Sequence, residues 1–325
     1  MKKRIFVLYT GGTIGMSESE RGLRPDTALV NQALTPFAEG MDFDWQVCTP
    51  LIDSSALRLQ NWQDWLGQIR AALPKYDGVL VLHGTDTLAY TANFLALSLG
   101  KLTKPVVLTG SQWPYNSANS DAPKNLATAV AALDLADLQQ VALAFNGKLF
   151  GAVGSSKVST ETADGFANWH FGELGRYEQG SWHDLRLSSA KYAEFATINP
   201  NVNVAAYTLI PGQMLATIAE SLRNTQAKGV ILQTFGHGNA PSDADFIDAV
   251  KSYTARGGIL LNISQVAQGC AAKVYAEGDA LRQAGSISGG KCNLETATSL
   301  LSLVLSADGR REDVQNVLEN LGLLA

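Results

Sequence analysis

Short, β-branched apolar runs alternate with helical patterns along this chain, and that alternation restricts the folds open to it. In the first half we predict strands at residues 4–10, 43–49, 78–83, 105–109, 141–145 and 149–153. Helical patterns lie between them at residues 27–38, 62–73, 87–99 and 121–134, with acid or amide caps at Asp26, Asn61 and Asp121. Alternation at this spacing indicates βαβ units and a mainly parallel sheet with covered faces.

A second α/β series follows a stretch in which the pattern fades. Residues 180–200 contain Ser, Lys, Asn and isolated aromatics and are predicted to be a linker. Strands are then expected at 202–209, 229–234 and 259–264, and helices at 214–224, 243–256, 295–307 and 312–321. Two domains are the natural expectation for 325 residues. We predict an α/β fold with a larger N-terminal, doubly wound, mainly parallel sheet domain (1–179) and a smaller C-terminal α/β domain (201–325).

The composition argues against several classes of protein. The net charge is −5 and the only basic cluster is residues 2–4, so we expect no nucleic-acid or membrane partner. No apolar run reaches the ~18 residues of a membrane span, and residues 1–10 lack the features of a secretory leader. Three scattered cysteines (Cys48, Cys270 and Cys292) indicate a reducing cytoplasm. Neither they nor the four histidines have metal-ligand spacing, so no metal or cofactor is expected.

The first of two hydroxyl-bearing loops reads Thr-Gly-Gly-Thr-Ile-Gly at residues 10–15, directly after an apolar run. Gly11 and Gly12 permit positive φ and let backbone amides approach a ligand closely. Thr13 beside such amides has the arrangement of an acyl-transfer nucleophile with its oxyanion donors. A tight turn with Thr13 as a hydroxyl cap is the alternative. A phosphate cradle is disfavoured, because the run matches neither glycine-rich phosphate-binding motif.

The second loop reads His-Gly-Thr-Asp-Thr at residues 83–87, after another apolar run. Thr85 and Asp86 can bind an α-ammonium group and hold a proton relay, or Asp86 can simply cap the next helix. His83 closes an apolar strand, so a buried, hydrogen-bonded histidine is favoured over a general base. Lys157 is either solvated or held near Thr85 and Asp86, where it would lose its proton and activate the hydroxyl.

Weaker candidates follow other strands. Asp53, Ser54 and Ser55 come after the strand at 43–49 and form either a plain turn or a site for a substrate carboxylate. Asn239 lies in the loop at 236–241, after a strand of the C-terminal half. No G-x-S-x-G motif occurs, so a nucleophile elbow of the α/β-hydrolase kind is not supported.

Taken together, these residues resemble the bacterial-type asparaginase/glutaminase family, in its cytoplasmic (type I) branch, over almost the whole chain. The motifs at residues 10–14 and 83–87 lie about 70 residues apart, each after a predicted strand, and the two together are highly specific. The resemblance implies hydrolysis of L-asparagine to aspartate and ammonia, with weaker action on L-glutamine. It also implies a homodimer or homotetramer with sites at the subunit interface. The markers are residues 10–14, 53–55, 83–87, 109–112, 157 and 236–241.

The resemblance assigns a role to each matching residue. Thr13 would be the nucleophile that forms an acyl-enzyme. Thr85, Asp86 and Lys157 would form a second triad that activates water. Substrate binding would fall to Gly12, Asp53, Ser54, Ser55, Gly84, Thr85 and Asp86 and, across the subunit interface, to Asn239.

Two departures from the family pattern have consequences. The family usually has a tyrosine in the lid where this chain has Leu23, so activation of Thr13 requires another tyrosine or a water. The type I branch can be activated by asparagine through an arginine and a cysteine. Gln233 and Val266 stand at those positions, so we predict non-cooperative kinetics. The missing tyrosine also raises the alternative of a catalytically weak amino-acid-binding or regulatory protein on the same scaffold. A relative that acts on misacylated tRNA is disfavoured by the acidic charge.

Overall fold

The chain divides into two units, residues 1–190 and 191–325, in the computed structural model. The structure describes residues 2–19, 22–187, 192–212, 214–272 and 277–324. The sequence predicts domains at 1–179 and 201–325 with a linker at 180–200; the division after residue 190 lies inside that linker, 11 residues beyond the first predicted boundary. That boundary falls within a β-hairpin, because residues 181–183 extend the sheet of the first unit.

The first unit is built from strands and helices in the alternation that the sequence predicts. Its helices are α1 (Thr27–Leu34), α2 (Leu59–Ala72), α3 (Thr85–Ser98) and α4 (Ala122–Leu133). Its strands are β1 (Lys3–Tyr9), β2 (Met16–Ser19), β3 (Gly22–Pro25), β4 (Met41–Val47), β5 (Gly78–Leu82), β6 (Val106–Thr109), β7 (Val141–Phe145), β8 (Lys148–Gly151), β9 (Ser155–Lys157), β10 (Phe166–Asn168), β11 (Glu173–Glu178) and β12 (Ser181–His183).

The main sheet has the strand order β12-β11-β8-β7-β6-β5-β1-β4. The five neighbouring strands β4, β1, β5, β6 and β7 are parallel to one another. The remaining strands, β8, β11 and β12, each run antiparallel to their neighbours. This confirms a mainly parallel sheet, and β5 and β7 are buried at every position because both faces are covered. The order of the sheet reverses between β1 and β5. Ligands of open α/β folds bind at such a switch point, outside the carboxyl ends of the strands.

Helix starts follow the predicted caps only in part. The carboxylate of Asp26 accepts from the first-turn amides of α1, as predicted. Asn61 is not the N-cap of α2; the helix begins earlier, and Asn61 Oδ1 accepts instead from the amide of Arg58 at 2.9 Å. Asp121 precedes α4 without capping it through its side chain. The start of α4 is therefore within one residue of the prediction and that of α2 is three residues earlier, and neither helix is capped by the contact that the sequence suggested.

The second unit has a four-stranded parallel sheet in the order β13-β14-β15-β16. Its elements are β13 (Val204–Thr208), α5 (Met214–Asn224), β14 (Gly229–Thr234), α6 (Ala244–Ala255), β15 (Ile259–Ser264), α7 (Glu277–Gln283), β16 (Ile287–Ser288), α8 (Leu294–Ser306) and α9 (Arg311–Asn320). Its core lies between the sheet and α5 and α6, around Phe246 and Tyr253. Among the described residues of both units, no helix is long and apolar enough to cross a membrane.

Candidate active site

Thr13 follows a turn that requires glycine. Directly after β1, Gly11 and Gly12 take φ values of 126° and 100°, a region that L side chains rarely adopt. A methyl group on Gly12 would lie 2.5 Å from the backbone nitrogen of Gly84. The loop after β1 therefore packs against the loop after β5, and the short helical turn Thr13–Gly15 begins at this contact.

Lys157 is brought to the two polar residues that open α3. Its Nζ atom lies 2.8 Å from Thr85 Oγ1 and 2.7 Å from Asp86 Oδ1. The side chain of Lys157 is 18% exposed and that of Asp86 is 59% exposed, so the carboxylate can accept a further donor from a ligand. Asp86 does not cap the helix, because the N-cap is Gly84. Lys157 Nζ is within hydrogen-bond distance of both oxygens, so a hydroxyl, a carboxylate and an amine lie in one cluster.

Gln112, to which the sequence gave no role, also reaches Thr85. Its Oε1 lies 3.4 Å from Thr85 Oγ1, and its Nε2 donates to the Ser159 carbonyl at 2.8 Å. The buried carboxylate of Asp121 accepts from the Gln112 amide at 3.0 Å and so fixes the turn after β6. The signal in the sequence was positional, since Gln112 follows the parallel strand next to β5.

Ser54 lies against the same loop. It is 4% exposed, its carbonyl accepts from Thr87 Oγ1 at 2.8 Å, and a methyl group on Gly84 would lie 2.5 Å from Ser54 Oγ. The Asp53 carboxylate accepts from the Ser55 amide at 2.9 Å and caps the turn Ser54–Ala56. The structure thus places Ser54 against the loop that bears Thr85, whereas the Asp53 carboxylate is hydrogen-bonded within its own turn.

His83 is buried, as the sequence favoured. Its Nε2 lies 2.9 Å from Thr91 Oγ1 and its Nδ1 lies 2.8 Å from the Gly84 carbonyl oxygen. Desolvation lowers the pKa of the imidazole to about 4. Both ring nitrogens are therefore occupied by the protein, and the ring does not face a substrate.

Asn239 belongs to the second unit, in a tight turn after β14. Its backbone exchanges hydrogen bonds with Phe235, at 2.8 Å and 3.0 Å. Two buried polar side chains bind the backbone of this loop. Asn262 Nδ2 donates to the Gly238 carbonyl at 2.9 Å, and Ser264 Oγ donates to the Gly236 carbonyl at 2.6 Å. Asn239 therefore lies in a loop with a fixed backbone, and the residue is partly buried.

The lid segment forms a hairpin of β2 and β3, in which Glu18 pairs with Leu23. The side chain of Leu23 lies outside the described residues. Tyr9 is the tyrosine next to the first loop, but it belongs to the core: it is 1% exposed, and burial raises the pKa of its phenol to about 12. A methyl group on Gly15 would lie 2.1 Å from the Tyr9 hydroxyl, which shows how closely the phenol packs under the turn.

Within the described part of the chain, no group of three or more His, Cys, Asp and Glu side chains could hold a metal ion.

The chain is similar to known proteins over almost its whole length. The family models "Asparaginase, N-terminal" and "Glutaminase/Asparaginase C-terminal domain" match residues 4–188 and 203–318. The sequence is 34% identical to L-asparaginase 1 of Escherichia coli, over 98% of this chain and 96% of that protein. The fold is similar to that of L-asparaginase I from Vibrio cholerae, with a TM-score of 0.84, 30% identity and 100% coverage of both chains. It is also similar to the thermostable L-asparaginase from Thermococcus kodakarensis, with a TM-score of 0.85, 25% identity and 99% coverage of both chains.

The fold and the matched family models define a two-domain α/β amidohydrolase. The chain belongs to the asparaginase family.

Proposed function

We propose that this protein hydrolyses the side-chain amide of L-asparagine to L-aspartate and ammonia, with Thr13 as the nucleophile. The activity follows from the family, in which the relatives named above are L-asparaginases. The observation that supports the residue assignment is the contact of Gly12 with Gly84, by which the loop bearing Thr13 packs against the loop bearing Thr85 and Asp86. Acyl transfer needs a nucleophile, amide donors and a proton route, and this edge of the sheet offers all three.

In the first half of the reaction, Thr13 Oγ1 attacks the amide carbon of the substrate. The hydroxyl proton passes to the departing nitrogen, the C–N bond breaks, and ammonia leaves an ester on Thr13. Backbone amides near Gly12 and Thr85 donate to the oxyanion that forms on the amide oxygen. A donor in such a position is worth about 3 kcal/mol of transition-state stabilisation.

In the second half, water attacks the ester with help from Thr85 and Lys157. The water proton moves to Thr85 Oγ1 while the Thr85 proton moves to Lys157 Nζ, 2.8 Å away. Asp86 lies 2.7 Å from Nζ and stabilises the ammonium that forms. The ester C–O bond then breaks, aspartate leaves, and the proton returns to Thr13.

The substrate's two charged groups find complementary partners at the same edge. The exposed Asp86 carboxylate accepts from the α-ammonium group, and Ser54 with Ser55 donates to the α-carboxylate. Gly12, Gly84 and Asp53 complete the pocket, the glycines by leaving room for close backbone approach. We infer weaker action on L-glutamine, whose side chain is one methylene longer.

We further propose a cytoplasmic homodimer or homotetramer. The three free cysteines suit a reducing compartment. In such an assembly Asn239 would act on the substrate bound to the N-terminal domain of a neighbouring copy.

The test is ammonia release from L-asparagine and L-glutamine, measured side by side over a concentration series. We expect Thr13→Ala to abolish release and Thr103→Ala, which alters an exposed threonine outside the site, to leave it unchanged. Turnover at the wild-type rate in Thr13→Ala would reject the nucleophile assignment. The reading as a non-catalytic amino-acid-binding protein predicts binding of asparagine by calorimetry with no ammonia; it is not favoured, because the relatives are named as L-asparaginases.

A further inference from the structure

A buried series of hydrogen bonds ends on the peptide that opens α3. The indole N–H of Trp62 donates to Thr91 Oγ1 at 2.9 Å, and that oxygen lies 2.9 Å from His83 Nε2. The other ring nitrogen, Nδ1, lies 2.8 Å from the carbonyl oxygen of Gly84. A carbonyl oxygen only accepts, so Nδ1 carries the proton and Nε2 accepts from the Thr91 hydroxyl. We call Trp62, Thr91 and His83 the His83 chain.

The side chains of the His83 chain are withdrawn from water, since none is more than 3% exposed. Trp65 further restrains the imidazole, because the two rings pack edge to face with their centroids 5.3 Å apart. In such surroundings each hydrogen bond is costly to break, and consecutive bonds strengthen one another. The imidazole is therefore held in one orientation and one tautomer.

The acceptor at the end of the His83 chain is the carbonyl oxygen of Gly84, the residue that precedes α3. The Gly84 carbonyl is half of the Gly84–Thr85 peptide, and the N–H of that peptide is the first amide of α3. The first amides of a helix have no partner inside the helix, and they attract negative charge. Gly84 has no side chain to restrain this peptide, and glycine leaves the backbone free to rotate. Gly84 packs against Gly12 and Ser54, and the bond from His83 adds a restraint at its carbonyl.

We propose that His83 is a positioning residue of the reaction, which acts through the Gly84–Thr85 peptide. Its Nδ1–H fixes the plane of that peptide and, by polarising the carbonyl, makes the Thr85 N–H a stronger donor to the oxyanion. The inference rests on the proposed function, in which the Thr85 amide is one of the oxyanion donors. It adds a residue that never touches the substrate and that the sequence alone marked only as buried.

Two substitutions of His83 separate this role from a merely structural one. His83→Asn keeps an N–H near the position of Nδ1 and loses the bond to Thr91, whereas His83→Gln reaches toward Thr91 and loses the bond to Gly84. Both remove the ring, so similar losses in melting temperature are expected. We expect kcat to fall between about 10-fold and 100-fold in His83→Gln, with KM within about 2-fold of wild type, and to fall far less in His83→Asn. Equal kcat values for the two variants would overturn the proposal.

Two substitutions of Thr91 test the same route and leave the imidazole of His83 in place. Thr91→Val removes the hydroxyl at nearly constant shape, and Thr91→Ser keeps it. We expect Thr91→Val to lower kcat by at least about 3-fold and Thr91→Ser to restore it. The same kcat in both variants would contradict the His83 chain as the route of the effect.

Nitrogen NMR of the wild-type protein tests the tautomer without any variant, and the spectrum of His83→Asn assigns the signal. A protonated Nδ1 with a bare Nε2 supports the inference, and the opposite tautomer overturns it. Failure of the proposed function looks different: wild-type protein would then release no ammonia, or Thr13→Ala would release it normally, whatever the tautomer of His83.

Discussion

The Nζ atom of Lys157 lies 2.8 Å from the hydroxyl oxygen of Thr85, although 72 positions of the sequence separate the two residues. The contact arises because β9, which carries Lys157, packs against α3, which begins at Thr85. Asp86 Oδ1 lies 2.7 Å from the same amine, so the hydroxyl of Thr85, the amine of Lys157 and the carboxylate of Asp86 form one cluster.

Lys157→Met is expected to slow hydrolysis of the acyl-enzyme while leaving its formation intact. Since general acid–base groups contribute about 10²–10⁴ in rate, we expect kcat to fall at least about 100-fold. A first-turnover burst of ammonia should persist, and the ester on Thr13 should be visible by intact mass spectrometry. Lys148→Met is the matched control, because Lys148 also forms an ion pair at 2.8 Å, with Asp164, outside the cluster. An unchanged kcat in Lys157→Met would contradict the proton route.

Gly12→Ala is expected to abolish activity and to destabilise the protein. Its φ is 100°, and the new methyl group would lie 2.5 Å from the Gly84 nitrogen and 2.6 Å from its Cα atom, both of them backbone atoms. Gly67→Ala is the control, since Gly67 lies inside α2 with nothing within 4 Å of the added methyl. That change should stabilise the protein by about 0.5–1 kcal/mol. Denaturant titration and ammonia release check both variants, and an active Gly12→Ala enzyme would refute the close packing of the two loops.

Burial of neutral His83 should make stability depend on pH. The folded protein holds the pKa of His83 at about 4, below its ordinary value of 6.5. The unfolded chain therefore binds more protons between these values. The stabilisation is complete above pH 6.5 and is lost as the pH falls toward 4, by about 3 kcal/mol in all. The free energy of unfolding of wild type and His83→Asn, measured over this range, should show the steeper acid loss in wild type; parallel curves would argue against a neutral buried ring.

Asn239 offers a test of the proposed assembly. Asn239→Ala and Thr13→Ala are each expected to lose activity, because each lacks one part of the site. Mixing the two variants under conditions that exchange subunits should restore part of it, since some sites would then combine an intact Thr13 with a partner's intact Asn239. No recovery in subunits that do exchange would indicate that Asn239 acts within its own chain or not at all.

Saturation with asparagine should follow a simple hyperbola, with a Hill coefficient of about 1. The Gln233 side chain is engaged with the neighbouring strand, accepting from Thr208 Oγ1 at 2.8 Å, and Val266 is an exposed apolar residue. Neither residue supplies the arginine cation or the cysteine thiol that the resemblance to the type I branch implies for activation by asparagine. Initial rates over a wide range of asparagine concentration decide the question, and a sigmoidal curve would overturn it.

The sequence predicted the central strands well because buried parallel strands are continuous apolar runs. The strand at 141–145 matches β7 residue for residue, and that at 78–83 exceeds β5 by one. The short strands β9 to β12 were missed, since they are polar or partly exposed and depend on tertiary pairing.

The antiparallel direction of β8 follows from the turn that precedes it. Asn146 and Gly147 join β7 to β8 with φ values of 47° and 79°. An Asn-Gly pair between apolar runs is a strong hairpin signal, because both residues tolerate positive φ. The turn makes β8 antiparallel and ends the parallel part of the sheet.

The candidate site was predicted unevenly. Thr13 and Thr85 were identifiable because glycine-rich loops after parallel strands are where such sheets bind ligands. The 3.4 Å approach of Gln112 to Thr85 was not, since an uncharged amide carries no chemical signature in a sequence. The roles given to these residues stay predictions until the variants above are measured.

The pairing of β1 with β5 determines where the length of such a chain can vary. Tyr9 pairs with Leu82 at the carboxyl ends of the two strands, so the loops bearing Thr13 and Thr85 start about 4.8 Å apart. That spacing is set by a backbone ladder and not by the stretch of polypeptide between the loops. Insertions or deletions at the opposite rim, where α2 leads into β5, can therefore accumulate over evolution without changing the distance between the two threonines.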